Sequence, residues 1–133
     1  MALGRTGIHD AENTFSKKQS LVGVTTKTAS TNVVHTGDGD VVLAPWFDVV
    51  FTTAATCASA GTVTVTLETA SDEAFTSPVT LITKTSASST TPAAKGTFLH
   101  QRVPEGNLGY LRATYTATQS LTAGVASAFI HVD

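Results

Sequence analysis

The sequence predicts an all-β fold, an antiparallel jelly-roll-like sandwich or barrel of about eight strands. Three observations predict it. Of the 133 residues, 25 are Thr, a β-branched polar residue that suits the outer face of a pleated sheet. Apolar residues recur with a period of two, clearest where Val63, Val65 and Leu67 alternate with Thr62, Thr64, Thr66 and Glu68. Turn signals rich in Gly, Pro and Asp separate these runs, and no run has convincing helical periodicity.

Taken in order, residues 1–19 read as an arm, with mixed charge and scattered apolar side chains. Either they are a loose tail, or they are an extended arm that orders on a partner with Phe15 as its anchor. A single β-sandwich domain is expected over residues 20–133. Its first strand is expected from Leu21 to Val24, and a short one from Thr31 to His35, ended by the Gly37-Asp38-Gly39-Asp40 turn. That turn carries two acids but lacks the further oxygen ligands of a calcium loop. Trp46–Thr53 predicts a strand with Phe47, Val49 and Phe51 on one face and Trp46, Asp48 and Val50 on the other. Trp46, just after Pro45, belongs either to the core or to a partly exposed strand start. Residues 54–60 read as a small-residue linker, with Cys57 inert because no basic group lies near it in sequence.

Residues 61–83 predict a hairpin with a long loop. In it, Ser71 caps one helical turn over Asp72–Phe75, and Phe75 tucks onto the core. Residues 86–95 are a low-complexity loop, and Gly96–Val103 is a strand of mixed faces. After the turn at Pro104–Asn107, the segment Tyr110–Thr118 alternates cleanly, with Leu111, Ala113, Tyr115 and Ala117 on one face. Val125–Val132 is apolar on both faces, so it is covered either by the protein itself or by a partner subunit.

Composition excludes several functions. Charged residues are 14% of the chain, net charge is −2, and Lys17-Lys18 is the sole basic pair, so no nucleic-acid footprint exists. No stretch approaches the ~20 apolar residues of a membrane span, and the first residues hold no apolar run of signal-peptide length. The single Cys fits synthesis in a reducing cytoplasm. His9, His35, His100 and His131 have no partner at metal-ligand spacing, and no nucleophile or phosphate-loop motif occurs. The adjacent acids Asp72 and Glu73 read as solvated loop residues. The expectation is therefore no enzyme, no cofactor and no metal. Two readings compete: a ligand-binding sandwich with Trp46 or Tyr110 on a sugar-binding face, and a structural subunit that covers another protein. Few aromatics, most at core-phase positions, and Thr-rich faces favour the second.

Several segments together carry a resemblance. They are FSKKQSL (Phe15–Leu21), STNVV (Ser30–Val34), GTVTVTLETASDEAFTSPVTL (Gly61–Leu81), RVPEGNLGYLRATYTAT (Arg102–Thr118) and LTAGVASAFIHVD (Leu121–Asp133). Their order resembles the small capsid cement proteins of tailed bacteriophages, the Bbp16-like family. The resemblance implies a jelly-roll-like domain, made in the host cytoplasm, that sits on the outer surface of an assembled head. It further implies that the protein associates with itself, as dimer or trimer, at capsid symmetry axes and bridges major capsid protein subunits. The competing reading becomes a ligand- or carbohydrate-binding module of a virion. Contact residues are expected at Phe15, Asn32, Trp46 and Tyr110, near strand starts or outside the clean core alternation. Ile130 and Val132 of the last strand are expected at the self-association face.

Overall fold

A computed structural model describes residues 14–35, 45–106 and 108–131. Among the described residues the fold is all-β, with nine strands: β1 (Thr14–Ser20), β2 (Thr28–Ala29), β3 (Val34–His35), β4 (Trp46–Cys57), β5 (Val63–Ala70), β6 (Val79–Thr85), β7 (Gly96–Arg102), β8 (Tyr110–Ala117) and β9 (Leu121–His131). One sheet has the order β1-β9-β4-β7; the other has β2-β8-β5-β6, with β3 also on β8. All pairings are antiparallel. If β2 and β3 are taken as two pieces of one interrupted edge strand, the order is that of a jelly roll.

The alternation expected from sequence sets the two inner faces. Phe47, Val49, Phe51, Ala126, Ala128 and Ile130 come from the first sheet, and Val63, Val65, Leu67, Leu111, Ala113 and Tyr115 from the second; all are fully or almost fully buried. Burial of each Phe contributes roughly 2–3 kcal/mol. Phe15 meets Phe47 edge to face, with centroids 5.6 Å apart.

Phe15 marks the main correction to the domain reading. Residues 14–19, expected in the arm, form most of β1 and pair with β9. Phe15 is wholly buried, so it anchors the sandwich itself. Polar Ser16, Lys17 and Lys18 concealed the strand because its ladder breaks between Ser16 and Gln19, and Lys18 takes a positive φ of 50° there. A bulge carrying exposed lysines is also how an edge strand is kept from pairing with another chain. The first strand expected at Leu21–Val24 is instead a turn, closed by Leu21 N–H on Gly124 O and Gly23 N–H on Leu121 O. The Gly37–Asp40 turn, Val132 and the first thirteen residues lie outside the described residues.

One further boundary moved. The residues expected as linker extend β4 to Cys57, because Ala55 and Cys57 continue the buried phase and pair across to β9 and to Ala93. The hairpin of β5 and β6 forms as expected, with a bulge between Leu67 and Glu68. In its loop the capping group is Asp72 rather than Ser71: its carboxylate accepts from the Thr76 hydroxyl at 2.7 Å, while Phe75 N–H bonds Asp72 O. Phe75 tucks in as expected, under the Arg112 guanidinium.

Candidate functional site

The outward face of the first sheet holds the densest cluster of aromatic and titratable side chains among the described residues. β4 lies between β7 and β9, and its inward set is Phe47, Val49 and Phe51, so Trp46 and Asp48 must point out. Register does the rest. Trp46 stands opposite Arg102 and His131, and Asp48 opposite His100 and Phe129. Such cross-strand neighbours touch.

Trp46 stacks on His100 with centroids 4.1 Å apart and planes 3° from parallel. The Arg102 guanidinium lies over the indole at 4.5 Å. The Asp48 carboxylate bridges two imidazoles: Oδ1 pairs with His100 Nδ1, and Oδ2 lies 2.7 Å from His131 Nε2. Asp48 and His131 are mostly covered, whereas the His100 side chain is 49% exposed and opens the cluster to solvent. Phe129 borders His131 at 5.8 Å. The indole N–H of Trp46 is buried and has no hydrogen-bond partner among the described residues.

Beside this patch runs a groove of about 390 Å³ lined by Thr14, Ser16, Lys17, Lys18, Asn32, Ser127 and Phe129. Phe129 belongs to both features, so Asn32 and Trp46 stand on one continuous surface. Tyr110 lies in the second sheet, partly exposed and stacked on His35 at 4.3 Å. Phe15 and Ile130 are wholly buried and offer no contact surface. The residues expected as contacts therefore divide: Asn32, Trp46 and Tyr110 are accessible, two are core, and Val132 is undescribed. Sequence reading passed over Asp48, His100 and His131, whose separation along the chain hides their meeting; the outward phase of Asp48 beside Trp46 was the one visible signal.

The segments that carried the resemblance have a different job. Ser16 bonds Gln19 and Tyr115, and Gln19 Oε1 accepts from Thr31 N–H. Asn32 N–H and the Thr31 hydroxyl both donate to Phe15 O. Ser30 N–H donates to Ala113 O, and the Ser30 hydroxyl accepts from Ala113 N–H. Glu68, only 4% exposed, receives Arg112 Nε at 3.0 Å and Lys27 Nζ at 2.5 Å. Val103 N–H bonds Pro45 O, holding the strand before Trp46. The bonds of Ser16, Gln19, Thr31 and Asn32 latch β1 to the second-sheet side, while those of Ser30, Glu68 and Arg112 brace the second sheet and Val103 braces the first.

Residues 15–130 match one phage-related family, and the match takes in all of the sandwich but its first and last residues, Thr14 and His131. That family is Bbp16, and the chain belongs to it. No curated protein matches the chain.

Proposed function

We propose that the protein is a capsid cement, or decoration, protein that binds the outer surface of an assembled phage head and bridges major capsid protein subunits, without catalysis. The observation that carries this reading is the Bbp16 match over residues 15–130. The geometry supports it. Motif side chains are engaged in locking a two-sheet body, which suits a part that must resist deformation rather than close on a substrate. A head swollen by packaged DNA pushes its capsomers apart, and a stiff bridge opposes that movement. Self-association at a symmetry axis gives each bridge several footings, so modest contacts become tight together. Asn32, Trp46 and Tyr110 are the contact residues in this proposal. It further places synthesis in the host cytoplasm, where buried, unpaired Cys57 stays reduced.

The clustering of Trp46, Phe129 and the two imidazoles on one sheet face favours a second reading, a carbohydrate-binding module of a virion. Mixing purified protein with expanded, undecorated heads and pelleting them separates the two. Saturable co-sedimentation is expected. Protein that stays in the supernatant yet binds a glycan array reverses the assignment.

A further inference from the structure

We propose that Asp48, His100 and His131 form a binding site for a divalent transition-metal ion of the zinc class. The inference rests on the geometry of this face and is independent of the capsid reading. The three residues present one carboxylate and two imidazoles, and the candidate ligand atoms all lie within 4.8 Å of one another. Zinc with nitrogen and oxygen ligands at roughly 2.0–2.2 Å spaces tetrahedral ligands about 3.3 Å apart. Small side-chain rotations reach that spacing, because the backbone already aligns the donors: His100 on β7 is the register partner of Asp48 on the neighbouring β4, and His131 on β9 stands opposite Trp46, two positions along on the same outward face.

The surroundings orient the donors. Stacking on Trp46 fixes the plane of the His100 ring, and Phe129 borders His131. A carboxylate between two imidazoles supplies negative charge where the ion would sit, and the exposed side of His100 supplies an entry path. Three protein ligands leave a position open to water or to a group on a partner surface. The donor set selects the metal. Calcium requires six to eight oxygen ligands and magnesium an oxygen octahedron, whereas imidazole with carboxylate suits zinc, cobalt, nickel or copper. In the ion-free protein the Asp48 carboxylate accepts from His100 Nδ1–H and His131 Nε2–H. Binding moves each ring's proton through solvent to its other nitrogen, so that His100 coordinates through Nδ1 with its proton on Nε2 and His131 through Nε2 with its proton on Nδ1. The bound ion would tie β4, β7 and β9 together across one face.

The test uses protein stripped with a chelator and then dialysed. Trp46 is the sole Trp of the chain, so its emission reports on an ion bound beside His100. Adding Co²⁺ is expected to quench that emission saturably at one ion per chain, with visible absorption bands rising in step. Zn²⁺ is expected to displace Co²⁺ and to raise the melting temperature by several degrees at ~100-fold excess over its Kd. His100→Ala and Asp48→Asn are expected to weaken binding at least ~10-fold, while His35→Ala leaves it unchanged. Circular dichroism of the stripped variants checks folding. If a variant does not fold, shifts of the His100 and His131 ring protons on adding Zn²⁺ to the wild type decide the matter. No quenching with any of these ions, quenching that survives both ligand substitutions, or ring protons of His100 and His131 that do not move overturns the proposal.

Discussion

The Ser16 hydroxyl lies 2.8 Å from the Tyr115 hydroxyl, although the residues stand 99 positions apart in the chain. Ser16 belongs to the first sheet and Tyr115 to the second, so this buried bond crosses the sandwich. Together with Phe15 it explains why residues 14–20 order as a strand. A Tyr this deep needs a partner for its hydroxyl, and β1 provides it.

Burial pushes the Tyr115 pKa up to about 12, partly offset by the Ser16 bond. In the unfolded chain the phenol titrates near 10. Its stabilising contribution is therefore complete below about pH 10 and lost as pH rises toward 12, at roughly 1.4 kcal/mol per pH unit. Tyr115→Phe should cost about 1 kcal/mol at pH 8, yet lose less than wild type between pH 9 and 11. Urea unfolding at the two pH values measures the difference.

Phe15→Ala and Trp46→Ala should separate folding from contact. The first empties a fully buried site and should cost about 3–5 kcal/mol. The second removes a partly exposed side chain from the outer face, so it should leave the fold intact and weaken pelleting with expanded heads. Thermal melts and pelleting, run on the same samples, check both. Equal occupancy for Trp46→Ala would remove Trp46 from the contact surface.

Adjacent positions on β5 should behave oppositely. Val65 is wholly buried, so Val65→Lys places an unpaired charge in the core and should cost several kcal/mol. Thr64 points outward, its hydroxyl 2.9 Å from that of Thr85 across the hairpin, and Thr64→Lys should be nearly neutral in a denaturant melt. If Thr64→Lys folds normally but fails to bind heads, the Thr-lined face is an interface.

Glu68 should prove structural. It is nearly buried and holds both Lys27 and Arg112, so Glu68→Ala leaves cations without their counter-charge and should cost about 3 kcal/mol or more. Lys27→Ala should cost well under half of that, since Lys27 is half exposed. Chemical denaturation of the two variants gives the comparison.

What the sequence made legible follows from what is local. Strands β5 and β8 were plain because each alternates residue by residue, and that pattern needs no distant partner. β1 was missed because its order depends on Tyr115 and on β9, far along the chain, and its bulge breaks the period that would have revealed it. The end of β4 was missed because Ala55, Thr56 and Cys57 look like a linker until Ala93, Ala123 and Leu121 pair with them. The Asp48 cluster was illegible for the same reason: three strands bring it together, and no spacing along the chain encodes that.

The pairing of β1 with β9 also sets a timetable. Lys18 N–H donates to the Ser127 hydroxyl, 109 positions later. The first described strand thus waits for the last before its edge of the sheet can close. Chains dominated by such distant pairings fold slowly, in roughly milliseconds to seconds. On the ribosome, Phe15 stays uncovered until residues 121–131 emerge. The body becomes rigid in a late step, and a nascent chain has no finished sandwich to offer any partner.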